Sequence, residues 1–263
     1  MFGELIASWQ VTPPAIWGKL SGHADFVRFG TGQGEIEAWR AWLAQEARRC
    51  TLSAGDKAGQ SLSGAERRPG LPVAFVLPPG TLPFARRQCV LGVIATSGDS
   101  LGHRHPLVVY QAARPSWIRR HFENHAAQPR DWQFWLARML GRHLAAASPA
   151  NIRTLAIAVR ALWDEQSRAD GTPGLPPGPA FANASGRDDP SGHRMQAVID
   201  RWTAPRPAID PVAHVRGVRF LPWSDWPDRT WSAHAGSAFW QQDAEGRFVD
   251  ASHRLQATWG VLP

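Results

Sequence analysis

Two short polar clusters hold the residues of this 263-residue chain that could do chemistry. The first runs Gly18, Lys19, Leu20, Ser21, Gly22, His23, Ala24, Asp25 and Phe26. The second runs Ser97, Gly98, Asp99, Ser100, Leu101, Gly102, His103, Arg104, His105 and Pro106. Ser21, His23 and Asp25 suggest a nucleophilic relay of hydroxyl, imidazole base and orienting carboxylate. Alternate residues of one extended segment project in parallel rather than in relay, and no G-x-S-x-G elbow is present. A turn is favoured instead, with Asp25 accepting a backbone N–H and Ser21 closing a hydroxyl–backbone turn.

In the second cluster, His103 and His105 could be two metal ligands, with Asp25 or Asp99 as a third. No spaced His/Cys/Glu set such as HExxH completes a zinc site, and no metal or other cofactor is expected. The competing reading is a loop between strands in which Arg104 pairs with Asp99 or Asp25. The glycine-rich run 30–34 lacks the Lys-Ser/Thr of a phosphate loop and reads as a lead into a helix.

Bulk properties narrow the function classes. Apolar residues make up 43% and charged residues 19%, the balance of a globular domain able to bury a core. The net charge of +7 comes almost wholly from arginine, since Lys19 and Lys57 are the only lysines. The arginines are scattered in isolated pairs, which disfavours a nucleic-acid surface; phosphate backbones demand clustering on one face. Residues 1–131 carry 15 basic and 10 acidic groups, a slight bias of the first half toward an acidic partner. Cys50 and Cys89 are the only cysteines, so no disulfide framework is expected and the chain reads as cytosolic. Neither a leader pattern nor an apolar run long enough to span a membrane is visible.

Elements that could position the clusters follow from periodicity. Residues 1–14 read as a loose lead-in, 15–20 as a strand, and 35–51 as a helix with Ile36, Trp39, Trp42, Leu43 and Cys50 on one face. Three apolar runs, 71–77, 88–96 and 105–112, separated by short turns, predict an antiparallel meander. Helices are expected over 117–126, 131–147 with Asp131 as N-cap, 151–165 and 193–203. Strands are expected at 215–221 and 236–242. The run 169–192, dense in proline and glycine, reads as a loop or linker. Residues 53–70 read as a loose connection. Phe239 and Trp240 beside Trp223, Trp226 and Trp231 form an aromatic cluster, read as core.

Together the two clusters resemble motifs of the TagF/ImpM family associated with type VI secretion. The first resembles the family's Gly-Lys-Leu-Pro-Ser-x-Gly-Asp-Phe signature, carried here by Gly18, Lys19, Ser21, Asp25 and Phe26 and followed by a helix with Trp39 and Trp42. The second resembles the Pro-Ser-x-Asp-x-x-Gly-Arg-x-x-Pro-Leu element, carried by Ser97, Asp99, Gly102, Arg104, Pro106 and Leu107. A late match at Ser237, Phe239, Trp240 and Gly246 is thinner. The match is divergent: Leu20 directly precedes Ser21 where the family has proline, and Ala24 precedes Asp25 where it has glycine.

The resemblance implies an α+β fold with a mainly antiparallel central sheet flanked by helices. It also implies a cytoplasmic, non-enzymatic repressor that acts after translation by binding a forkhead-associated scaffold protein. The expected organisation is a core at 15–165, the insertion at 169–192, and 193–263 completing the same domain. Lys19 and Asp25 are expected to pair with or orient the 99–105 loop, presenting a polar patch ringed by tryptophans. The alternative is a metal-dependent or hydrolytic enzyme using Asp25, Asp99, His103 and His105.

Overall fold

The structure is a computed structural model. It describes residues 10–55, 71–125, 130–146, 148–169, 190–203, 217–218, 221 and 236–255, without the side chains of 50–55, 122–125, 169 and 190–191. Three strands, β3 (Val73–Leu77), β4 (Cys89–Ala95) and β5 (Leu107–Ala113), form the meander anticipated from the apolar runs. Every residue in them is buried, because both faces of the sheet are covered. That is why they read as continuous apolar runs rather than alternating ones.

A first hairpin, β1 (Ala15–Gly18) and β2 (Val27–Phe29), adds to β5. A last hairpin, β6 (Ala238–Gln242) and β7 (Phe248–Ser252), adds to β3. The resulting seven-stranded sheet has the order β2-β1-β5-β4-β3-β6-β7, with antiparallel neighbours throughout.

Helix α1 (Gln33–Gly55) covers one face. Its Ile36, Trp39, Trp42 and Leu43 pack on Trp17, Phe75, Tyr110 and Phe239. Trp39 lies edge-on to Phe75 and Tyr110, and Trp42 stacks on Phe239. The other face meets α2 (Pro115–His125), α3 (Trp132–Ala145), α4 (Ile152–Ala169) and α5 (Pro190–Trp202). Asp131 caps α3 by accepting the Phe134 N–H at 3.0 Å. Phe239 and Trp240, adjacent on β6, bury into opposite faces, as strand alternation requires. Trp223, Trp226 and Trp231 lie outside the described residues.

Several expectations need correction. The lead-in is tied down at residues 10–12: Val11 bridges Ala113, and the Thr12 hydroxyl accepts the Ala112 N–H at 2.9 Å. The run 30–34 is not loop throughout, since α1 begins at Gln33; the Glu35 carboxylate accepts the Gly32 N–H and satisfies an orphan donor there. Helix α1 continues to Gly55, so 53–55 are not loop, and 56–70 lie outside the described residues. The last residues of the predicted 169–192 linker, from Pro190, form the first turn of α5, while 170–189 lie outside the described residues. Of the strand expected at 215–221, only a bridge from Val218 to Phe248 falls within them.

Candidate functional site

The two polar clusters meet at the end of β1. Gly18 has φ +143°, and a Cβ there would stand 2.3 Å from the Pro106 carbonyl oxygen. Glycine therefore lets the end of β1 press against the backbone entering β5. This close approach carries Lys19 over the second loop. Its Nζ reaches Asp99 Oδ2 at 2.5 Å, and its carbonyl oxygen accepts the Ser97 hydroxyl at 2.7 Å. A third link runs from the Ser100 N–H to the His23 carbonyl at 2.9 Å.

Asp99 is the hub of the second loop. Its Oδ1 accepts the N–H groups of Leu101 (2.9 Å) and His103 (2.8 Å). Its Oδ2 takes Lys19 Nζ and lies 3.0 Å from His103 Nδ1. The hydrogen-bonded Lys19 ammonium, with the two amides and the His103 ring, outweighs burial and holds the carboxyl well below the usual carboxylate range. Backbone bonds from Asp99 N–H to His103 and from His105 N–H to Ser97 close the loop into a small hairpin. At its tip Leu101, Gly102, His103 and Arg104 are exposed.

Behind this clamp lies an aromatic corner. Phe26 stacks on Trp17 at 5.5 Å, and the His105 ring stands edge-on to both. His105 Nδ1 contacts the Pro106 carbonyl oxygen at 2.7 Å. Burial, followed by the Lys19 and Arg40 charges, lowers the His105 pKa despite that carbonyl. Lys19 Nζ and the Arg40 guanidinium each lie 5.2 Å from the Phe26 ring centroid.

The first loop is anchored in a second direction, toward α4. The Ser21 hydroxyl accepts the Ala150 N–H (3.0 Å), His23 Nε2 accepts the Ile152 N–H (3.2 Å), and Gly22 N–H donates to Ala150 O (3.0 Å). Ser21 therefore closes no local turn, contrary to expectation. Asp25 accepts the N–H of Phe26 at 2.7 Å, which is the backbone role expected of it. It does not join Lys19 in holding the second loop. With Ser21, His23 and Asp25 each turned to a different backbone N–H, no hydroxyl–imidazole–carboxylate relay is assembled.

Arg104 also differs from expectation. It is exposed and pairs with neither aspartate, because Lys19 and His103 already occupy Asp99. No group of three or more His, Cys, Asp or Glu among the described residues could hold a metal ion. Among the described residues, Trp17, Trp39, Trp42 and Trp240 belong to the core rather than to a ring around the patch. Cys89 is buried and free, and burial pushes its thiol up to about 12, so it is inert as a nucleophile. Local spacing contains no signal for the His23 link to Ile152, because the partners stand 129 residues apart.

Fold and site together define an antiparallel α+β sandwich with two loops clamped at one corner of its sheet. The model of the TagF N-terminal domain, described as type VI secretion system-associated, matches residues 15–152, and the chain belongs to that family. The matched span contains both loops and the strands that carry them. No curated protein matches the sequence. Among solved structures, the crystal structure of PA0076 from Pseudomonas aeruginosa PAO1 is similar at 16% identity and a TM-score of 0.47, covering 95% of this chain and 93% of that one. Among the described residues no helix is long and apolar enough to cross a membrane.

Proposed function

We propose that this chain is a non-enzymatic accessory protein of the type VI system that represses secretion from the cytoplasm by capturing a protein scaffold. The forkhead-associated scaffold implied by the family resemblance is the partner of choice. One observation carries this reading: the family's two motif loops, far apart in sequence, are joined by the Lys19–Asp99 pair into one corner with an exposed tip. Gly18, Lys19, Ser21, Asp25, Phe26, Ser97, Asp99, Gly102 and Pro106 build that corner. Leu101 and Arg104 at its tip meet the partner. Trp240 supports the sheet from within and has no part in contact.

The geometry suits binding better than turnover. The most polarised group, Asp99, is saturated by four protein donors, and a carboxylate so held is a poor base. At the tip, Leu101 is 67% exposed beside Arg104, an apolar anchor next to a guanidinium, as interface hot spots often combine them. Co-purification of the forkhead-associated scaffold with wild type and with a Leu101→Glu/Arg104→Glu variant tests this. Capture should fall at least tenfold while the variant's thermal unfolding stays unchanged. Undiminished capture by the folded variant refutes the assigned face. Secretion restrained equally by both proteins in overproducing cells refutes the link to repression.

A further inference from the structure

Next to the clamped loops, the β2 edge of the sheet carries a second surface. On α4, Arg153, Ile157 and Arg160 recur at i, i+4 and i+7 and are all exposed, so they form one stripe. Ile157 is 48% exposed, one of three large apolar side chains that stand out among the described residues. The Arg160 guanidinium lies 5.0 Å from the Phe29 ring centroid, which joins the stripe to β2 at the sheet's edge. On the other face, Arg28 sits opposite Trp17 in the β1–β2 register and therefore points to the α1 side, where Arg40 covers Phe26. Four exposed arginines thus bracket one edge strand.

None of Arg28, Arg40, Arg153 and Arg160 forms an ion pair among the described residues, whereas Arg142, Arg168 and Arg247 each close one. Exposed acids nearby are few. Asp25 holds the Phe26 N–H, Glu37 takes the Gln33 amide, and Asp164 lies one turn beyond Arg160.

We propose that this edge docks an acidic, extended segment of the protein partner, with carboxylates on the four arginines and one apolar side chain on Ile157. The proposal rests on the scaffold-capture reading above and names the chemistry of the segment captured. Arg40 and Arg160 lie against aromatic rings, so less freedom is lost when each engages a carboxylate. Arginine on both sides of the edge strand repels basic segments, a second copy of this +7 chain included. An apolar centre at Ile157 between the arginines suits a mixed acidic-apolar peptide better than a phosphate backbone, which gains from unbroken positive charge.

The test uses the full chain and a fluorescein-labelled 14-residue peptide of glutamates around one central leucine, with the same peptide built on lysine and single-stranded oligothymidylate as controls. Fluorescence anisotropy should show binding of the acidic peptide alone, weakening as salt is raised. Amide exchange should show protection at 27–29 and 153–160. Charge reversal at Arg28, Arg153 and Arg160 should weaken binding at least tenfold, and the Arg→Gln triple variant should fall between it and wild type. No binding, protection confined to 99–105, or tighter binding of the oligonucleotide would overturn the proposal. Scaffold capture separates the two claims. Loss only in the Leu101/Arg104 variant leaves the repressor reading standing and removes this surface. Loss only in the arginine variant keeps the surface and removes the loop tip.

Discussion

Lys19 Nζ and Asp99 Oδ2 lie 2.5 Å apart although 80 residues separate them in sequence. The Asp99 side chain is fully buried and that of Lys19 nearly so. Such a pair stabilises a fold only when the remaining lone pairs are also satisfied, and here the Leu101 and His103 amides supply those bonds. The clamp thereby fixes the geometry of both loops at once.

Acid should release this clamp late. Lys19 and the loop donors depress the Asp99 pKa in the folded state, so the unfolded chain binds the proton first as pH falls. The stabilisation is complete above the ordinary aspartate range, near ~4, and declines below it until the folded carboxyl also protonates. Amide exchange at Leu101 and His103 should therefore stay protected at pH 5. In Asp99→Ala, which offers no acceptor to either N–H, that protection should be lost. Equal protection of the two proteins at neutral pH would show that Asp99 does not hold the loop.

Glycine at two loop positions should matter unequally. Gly18→Ala forces a Cβ against the Pro106 carbonyl at positive φ, and overpacking alone costs about 1–3 kcal/mol before backbone strain is added. Gly102 also has positive φ (+87°), but a Cβ there meets nothing within 4 Å, so Gly102→Ala should cost only ~1–2 kcal/mol. Urea denaturation of both variants gives the order, and a smaller loss at Gly18 would contradict the close approach described above.

The legibility of this fold depended on how each segment buries its side chains. The meander was readable because β3, β4 and β5 are apolar on both faces. Helix α3 was readable because Asp131 and its apolar stripe agree. β2 escaped because three residues, Val27, Arg28 and Phe29, are too few to show a period and Arg28 breaks the apolar pattern. At the site, both loops were recognisable as motifs and Lys19 was expected to hold the second, whereas complementary charge alone offered Arg104 to Asp99. The contrast between Asp99 and Asp25 could not be anticipated. Both are aspartates in glycine-bearing turns, and only tertiary placement sends one to a lysine and the other to the next backbone N–H. The docking of Ser21 and His23 on the start of α4 was equally unreadable, since any exposed N–H can serve a hydroxyl or an imidazole.

Trp39 should be the costliest side chain to remove from α1. It is fully buried, touches the rings of Trp42, Phe75 and Tyr110, and fills the space between helix and sheet. Trp39→Ala should lose about 3–5 kcal/mol. Urea denaturation measures this, and a loss under 1 kcal/mol would mean that α1 is not anchored there.

His143 should make stability depend on pH near neutrality. It is buried on α3, its Nε2 has no hydrogen-bond partner among the described residues, and burial lowers its pKa. The unfolded chain therefore takes up a proton near ~6.5 that the folded chain resists, so this contribution is complete above that pH and is lost as pH falls through it. His105 acts in the same sense, being half-buried near Lys19 and Arg40. Wild type should thus lose stability between pH 7 and pH 5, and His143→Leu should reduce that loss while His105 keeps part of it. The Leu side chain also removes the unpaired nitrogen from an apolar layer made by Met139, Leu140 and their neighbours. Paired urea titrations of the two proteins at pH 5 and pH 7 decide the matter. An identical pH slope in both would place the proton uptake on another group.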